Sequence, residues 1–274
     1  MSTEDFLRDF HRKYPGCTSV VLATGRTEEG ETSYDIVASP LKAHTPTSIL
    51  DLACGDGYLL EQVRATYAPT ATLTGVDLSP DELSAAAHRL ANTEVSLHEG
   101  RAQRLPFADA TFDAVLCHLA FMLMDRIEEV VAEIHRVLRP GGVFSAVVMG
   151  PPHDDPATAI FRTVFEEILH EEGIAKPTPL GDARTRETDG LRGLFASKPF
   201  QAPVEFRDFV VRWRVPAPAV VEYFELTYGV GRLPTETRAR FATRYLERLR
   251  PLEDQEHLVL HAQSLRHLMV RKPG

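Results

Sequence analysis

The segment 49-ILDLACGDGYLL-60 carries the residues best suited to bind a ligand. An apolar run and Asp51 precede Gly55 and Gly57, and a helical pattern follows them. At a turn from strand to helix, glycines let backbone amides approach an anionic or polar ligand at the helix N-terminus. A dinucleotide fingerprint needs a third small residue at position 60, where Leu60 stands. The segment therefore predicts a nucleotide-type site and disfavours a nicotinamide or flavin.

A second acid, Asp77, ends the next apolar run, 74-TGVDLS-79. It lies about 20 residues beyond Gly57, where an acid can accept hydrogen bonds from both ribose hydroxyls. In the loop after the following run, Arg101, Ala102 and Gln103 are placed to border an adenine. Together these residues predict an adenosine-type ligand.

A parallel sheet is needed to bring these residues together. From residue 48, short β-rich runs alternate with longer helical periods, as in a sheet with crossover helices. We predict an α/β fold with a seven-stranded, mostly parallel sheet. Its strands are predicted at 48–53, 72–77, 94–98, 112–117, 142–149, 204–215 and 265–272, and its helices at 57–67, 80–91, 125–138, 156–172 and 188–197 and within 217–250.

The pattern changes after Met149, where a segment rich in Pro, Asp and Thr begins. We expect this segment to be an insertion over the carboxyl edge of the sheet, with helices on both faces of the sheet itself. The predicted core comprises residues 46–150, 188–216 and 251–274. A mostly helical cap that binds the substrate comprises residues 1–45, 151–187 and 217–250.

These motifs resemble those of class I S-adenosylmethionine-dependent methyltransferases of the small-molecule, ubiquinone-biosynthesis-like type. ILDLACGDG matches the family's first motif, with Ala53 in place of its usual first glycine, and Asp77 matches its acidic ribose ligand. In the adenine loop, 100-GRAQRLPF-107, Arg101 stands where an acid is usual. Segments 111–123 and 137–144 match as well. The resemblance covers residues 45–150 strongly and the last two predicted strands more weakly.

The resemblance implies a Rossmann-like fold that binds S-adenosylmethionine and releases S-adenosylhomocysteine. It also implies transfer of the methyl group to a small organic molecule, which we place in specialised or secondary metabolism. Asp51 is assigned to the methionine amino group, and Tyr34 is expected to close over the cofactor. The predicted cofactor-binding residues are Tyr34, Asp51, Ala53, Gly55, Gly57, Asp77, Leu78, Arg101, Ala102, Gln103 and His118. Two alternatives stay open: a protein of this fold that binds S-adenosylmethionine for another reaction, and a nicotinamide-dependent oxidoreductase.

Histidines and tyrosines provide the candidates for catalysis and substrate binding. His118 follows the fourth predicted strand, where α/β folds place ligands, and is either a general base, a contact of the methionine carboxylate or a packing residue beneath the cofactor. His153, within 150-GPPHDDP-156, is either a base, part of a metal site with Asp154 and Asp155, or, as such a Pro/Asp cluster favours, part of a solvated turn. The predicted substrate contacts are His11, Tyr14, Tyr223 and Tyr228, although core packing would explain them equally well.

Composition excludes several other classes of protein. A formal net charge of −9 argues against nucleic acid as a partner, because phosphate backbones are bound by clustered Lys and Arg. Three widely spaced cysteines suggest neither a disulfide framework nor a metal site. The N-terminal stretch lacks an apolar leader segment, and no apolar run is long enough to span a bilayer. We therefore expect a soluble, cytoplasmic protein with no membrane partner.

Overall fold

The structure is a computed structural model that describes residues 2–43 and 45–274. Residues 1 and 44, both in the predicted cap, lie outside the described residues. Seven strands form one sheet: β1 Ser48–Leu52, β2 Thr72–Asp77, β3 Val95–Glu99, β4 Phe112–His118, β5 Leu138–Met149, β6 Val204–Pro216 and β7 Leu258–Arg271.

Helices connect and cover the strands. The α-helices are α1 Thr3–Lys13, α2 Cys17–Leu22, α3 Ser33–Ala38, α4 Tyr58–Gln62, α5 Pro80–Arg89, α6 Ile127–Val137, α7 Pro156–Glu171, α8 Thr188–Ala196, α9 Ala217–Glu225, α10 Tyr228–Gly231 and α11 Thr235–Leu249. A π-helical turn, Val63–Tyr67, continues α4, and short 3₁₀ turns occur at Ser39–Lys42, Phe121–Leu123, Ala183–Arg186 and Arg250–Leu252.

The strand order is β3-β2-β1-β4-β5-β7-β6. Strands β1 to β5 pair in parallel, whereas β7 runs antiparallel to both β5 and β6. The predicted α/β, Rossmann-like, mostly parallel seven-stranded fold is therefore confirmed. The order reverses direction between β1 and β4, and in open α/β sheets ligands bind beyond the carboxyl ends of the strands at such a point.

Two apolar layers bury the sheet, one on each face. Side chains of α6 and α8, including Val131, Ile134 and Phe195, pack on one face. Side chains of α3, α4 and α5, including Val37 and Leu60, pack on the other. Such burial on both faces explains why the central strands read as continuous apolar runs.

A third apolar cluster joins α7, α9 and α11 around Phe224, Phe241 and Tyr245. These helices belong to the predicted cap, and their separate cluster is in keeping with the predicted division of the chain, which stays a prediction. None of the described helices is long and apolar enough to cross a membrane.

Candidate functional site

The turn from β1 into α4 contains three residues with left-handed backbone conformations. Ala53, Gly55 and Gly57 have φ angles of 59°, 52° and 77°. Among the described residues, a Cβ atom on Gly55 would meet only the Glu82 carboxylate, at 3.8 Å, so this glycine faces open space. On Gly57 a Cβ atom would lie 2.8 Å from Leu90 Cδ1. Gly55 therefore keeps the loop open, whereas Gly57 allows close packing against the end of α5.

Asp77 fixes this turn from the end of β2. Its side chain is buried, its Oδ2 accepts a hydrogen bond from the Gly55 amide at 2.9 Å, and its Oδ1 accepts one from the Ser79 amide at 2.8 Å. Burial raises the pKa of Asp77, while the two amides oppose that rise. Each carboxylate oxygen can accept a further bond, so Asp77 can hold the loop and a ligand's hydroxyl groups together.

Asp51, near the end of β1, is a buried acid with one unpartnered oxygen in the described part of the chain. It is 1% exposed, and its Oδ2 has no hydrogen-bond partner among the described residues. Burial, together with the nearby carboxylates of Asp77 and Asp56, raises its pKa well above the usual range. A buried carboxyl group in this state is stabilised by a cation that donates hydrogen bonds to it. An ammonium group of a ligand would supply both the positive charge and the hydrogen-bond donor.

His118 ends β4 and packs against Tyr34. The two rings stack with centroids 3.9 Å apart and planes 21° apart, and His118 Nε2 lies 2.9 Å from Ser33 Oγ. Burial lowers the pKa of His118 to about 3. The imidazole is therefore neutral at physiological pH and has little tendency to take up a proton.

One cavity unites these residues with the loop after β3, and we call it the cofactor cavity. Gln103 donates a hydrogen bond to the Asp125 carbonyl at 2.9 Å, and the Arg101 guanidinium pairs with the Glu4 carboxylate of α1. The cavity wall includes the predicted residues Tyr34, Asp51, Ala53, Gly55, Asp77, Leu78, Arg101, Ala102, Gln103, His118, His11 and Tyr228. Gly57 does not line it.

Acids dominate the charged part of this wall. They are Glu4, Asp51, Asp56, Asp77, Glu82 and Asp125, against the cationic groups of Arg101 and His11. Such a lining favours a positively charged ligand.

Glu82 and Asp56 connect the N-terminal helices to this site, and the sequence interpretation missed both. Glu82 accepts hydrogen bonds from the Gly16 amide at 3.1 and 3.0 Å. Asp56 accepts one from Ser19 Oγ at 2.6 Å and pairs with Arg89 at 2.5 Å. In the sequence, Glu82 is an acid in the first turn of α5. Only the structure shows that its side chain is buried.

His11 is held between Glu82 and Tyr228. Its Nδ1 lies 2.6 Å from the Glu82 carboxylate and its Nε2 lies 3.1 Å from the Tyr228 hydroxyl. Burial alone would lower the pKa of His11, but hydrogen bonds with Cys17 and Glu82 raise it to about 10. The ring is therefore an imidazolium at neutral pH, which donates one hydrogen bond to each neighbour.

A second cavity of about 740 Å³ lies under the predicted cap, and we call it the acceptor cavity. Both cavities are lined by Thr18, Leu119, Leu123 and Tyr228, so they meet there. His153 and Tyr223 lie on the wall of the acceptor cavity. Tyr14 lines neither cavity and instead contacts the Arg238 guanidinium.

Comparison with known proteins identifies the family. A family model described as "Methyltransferase domain" matches residues 50–146. An uncharacterized methyltransferase of Synechocystis sp. is 30% identical over 166 residues, which cover 58% of this chain and 76% of the relative. The chain belongs to the class I methyltransferase family. This membership confirms the predicted ubiquinone-biosynthesis-like type and, with it, S-adenosylmethionine as the cofactor.

Other members of the family match only in part. A demethylmenaquinone methyltransferase of Deinococcus radiodurans is 34% identical over 138 residues, which cover 50% of this chain and 57% of the relative. The chain spans about half the length of the first curated relatives it matches. Among solved structures, phosphoethanolamine N-methyltransferase 2 of Haemonchus contortus with S-adenosyl-L-methionine has a TM-score of 0.60. It is 16% identical, and the match covers 100% of this chain and 60% of that one, so it shows the shared fold.

Proposed function

We propose that this methyltransferase-family chain transfers a methyl group from S-adenosylmethionine to a small organic molecule. The observation that carries the proposal is the buried Asp51 carboxyl group, whose Oδ2 has no partner among the described residues, on the wall of an acidic cavity that meets a larger cavity under the cap. S-adenosylmethionine carries an ammonium group and a sulfonium, and both fit an acidic lining.

Different residues would bind different parts of the cofactor. Asp51 would bind the methionine ammonium group, and Asp77 the ribose hydroxyls. Ala102 and Gln103 would border the adenine. Arg101 is paired with Glu4 and would not accept a hydrogen bond from the adenine amino group. Asp125, which is an acid, lies on the same wall.

The bound cofactor would supply an electrophilic methyl group, and the chain's own residues would position its acceptor. Thr18, Leu119 and Tyr228 lie where the two cavities meet, so an acceptor held there would face the cofactor. Catalysis would rest mainly on this alignment and on the exclusion of water.

A proton acceptor, where the substrate needs one, is best sought at His153. His118 is poorly suited to this role, because its pKa of about 3 leaves it weakly basic beneath the cofactor. His11 is protonated below pH about 10 and so cannot accept a proton at neutral pH. His153 is the remaining candidate that we predicted, and it lies on the wall of the acceptor cavity.

The names of the relatives do not identify the methyl acceptor of this chain. The family match covers residues 50–146, while most of the acceptor cavity's wall comes from residues outside that range. We retain a small molecule of specialised metabolism as the acceptor. Methylation of a quinone precursor, as in the name of the Deinococcus relative, is the competing assignment.

Two measurements test this function. Calorimetry with S-adenosylhomocysteine and with NAD should show binding of the former alone. Incubation with methyl-labelled S-adenosylmethionine, a metabolite extract and a demethylmenaquinone should then give a labelled product from the extract. Binding of NAD alone would refute the assignment. Cofactor binding without any labelled product would favour the non-methylating alternative, and labelling of the quinone would favour quinone methylation.

A further inference from the structure

The acceptor cavity has a charge opposite to that of the cofactor cavity. Its wall carries the cationic side chains Arg162, Lys176, Arg186 and Arg232, and Glu166 is the only acid among the described residues that line it. Glu166 is itself paired with Lys176 at 2.9 Å. The chain as a whole has a formal net charge of −9, so a basic cavity is not a reflection of its composition.

Two of these arginines are fixed on one wall. Arg232 donates a hydrogen bond to the Thr178 carbonyl at 3.1 Å, and Arg186 donates one to the Leu180 carbonyl. Neither forms an ion pair in the described part of the chain; the charge of Arg186 helps to lower the pKa of Asp182, whose carboxylate pairs with Arg184. Each guanidinium carries five N–H groups, so most of its donors stay available to a ligand. Guanidinium groups of this kind match the geometry of carboxylate and phosphate groups.

Both arginines contact the apolar cluster around Phe6 and Tyr228, which Arg186 reaches through its hydrogen bond to the carbonyl of Leu180. The guanidinium of Arg232 lies 4.3 Å from the centroid of the Phe6 ring, a cation–π contact. The Phe6 ring lies in turn 6.1 Å from the ring of Tyr228, which lines both cavities. The remainder of the wall is rich in aromatic side chains, including Phe161 and Phe224, whose rings stack 4.1 Å apart.

We infer that the acceptor is an amphipathic organic anion, with its carboxylate or phosphate bound by Arg186 and Arg232 and its apolar body against Phe161 and Phe224. This inference rests on the proposed function and names the substrate class of that site.

Matched probes test the inference on protein saturated with S-adenosylhomocysteine. The aromatic series is 1-naphthoate, 1-naphthyl phosphate and neutral 1-naphthamide, and the alkyl series is decanoate and decanamide. Calorimetry should show at least one anion binding about tenfold or more tightly than its neutral partner, as a charge-assisted hydrogen bond provides. The stronger of the two naphthyl anions identifies the group recognised.

Variants test which side chains cause the preference for the anion over its neutral partner. The double variant Arg186→Gln/Arg232→Gln should bind the anion and its neutral partner about equally. Arg192→Gln is the control, because Arg192 is exposed, pairs with Asp189 and lines neither cavity, and it should keep the preference.

Three results would overturn the inference: equal binding of anions and neutral partners by the unmodified protein, binding of no anion in either series, or an unchanged preference in the double variant. Each of these results would be obtained on protein that still binds S-adenosylhomocysteine. Failure of the proposed function would instead show as loss of that binding, or as binding of the cofactor without any labelled product in the transfer assay.

Discussion

Asp51→Asn should weaken cofactor binding and stabilise the unliganded protein at the same time. The substitution keeps the size of the side chain but removes its negative charge. In the unliganded protein the carboxyl group is 1% exposed and its Oδ2 lacks a partner. With the cofactor bound, that same oxygen would accept a hydrogen bond from the methionine ammonium group.

The two effects have comparable magnitudes. A hydrogen bond to a charged group contributes about 1.5–3 kcal/mol, so S-adenosylhomocysteine should bind about 10- to 150-fold more weakly. Burial and the carboxylates of Asp77 and Asp56 make ionisation of Asp51 costly in the folded state, and an amide does not ionise, so at neutral pH the variant should gain about 1–3 kcal/mol in its free energy of unfolding. For a chain of this size that gain raises the Tm by about 2–10 °C.

The stability gain depends on pH. Burial raises the folded-state pKa of Asp51 above its unfolded value, so the protein loses stability as pH rises from the unfolded pKa through the folded one. The asparagine variant lacks this loss. The difference in Tm should therefore be close to zero below pH about 4 and grow as the pH is raised toward 8.

Calorimetry with S-adenosylhomocysteine and thermal unfolding without ligand measure the two effects. Asp154→Asn is the matched control, because Asp154 is exposed and lines neither cavity, and neither quantity should change. A higher Tm with unchanged affinity would show that Asp51 is a structural acid without a ligand. A lower Tm at pH 8 would refute the argument from the buried ionisable group.

Four further predictions concern the same site. Asp77→Asn should weaken S-adenosylhomocysteine binding by roughly 1–3 kcal/mol by calorimetry, because the ribose hydroxyls lose a charged acceptor. Gly57→Ala should destabilise the protein by about 1–3 kcal/mol in urea unfolding while folded protein keeps its cofactor affinity, since the new Cβ would lie 2.8 Å from Leu90 Cδ1. The pKa of His11 is about 10 in the folded protein, above its unfolded value of about 6.5. Its stabilising effect should therefore be present below pH 6.5 and lost as the pH rises through 10. The difference in Tm between the unmodified protein and His11→Gln should shrink over that window. Ala53→Gly should raise the free energy of unfolding by on the order of 1 kcal/mol in urea unfolding, because relief of a left-handed alanine exceeds the added entropy of the unfolded chain. Equal stability of the alanine and glycine forms would contradict the last of these.

The sheet was predictable because each strand can be recognised from its own residues. The apolar runs and the helical periods between them are properties of adjacent residues, and all seven predicted strands are present. Only their limits differ: β5 begins at Leu138 and β7 at Leu258, earlier than predicted. In β7 the added residues pair with the end of β6, and a partner so distant in sequence leaves no mark on local periodicity.

The candidate site was predictable where one motif fixes it and not where distant segments meet. Asp51, Gly55 and Asp77 follow directly from the ends of β1 and β2. By contrast, the buried position of Glu82 depends on Gly16, which lies 66 residues earlier in the chain. Long-range contacts also set the protonation states of His11 and His118, so neither state could be inferred from residue type.

Ala53 connects the one departure from the family's first motif to the geometry of the site. Glycine is usual at this position because the backbone there is left-handed, and the structure keeps that conformation with φ of 59° on an alanine. A strained residue persists only where its surroundings determine it. Here Cys54 donates its amide hydrogen to the Val76 carbonyl, and the Gly55 amide is held by Asp77, so the next two amides are already fixed. The turn is therefore imposed by β2 rather than by the freedom of a glycine, which explains how the motif tolerates an alanine on the cofactor wall.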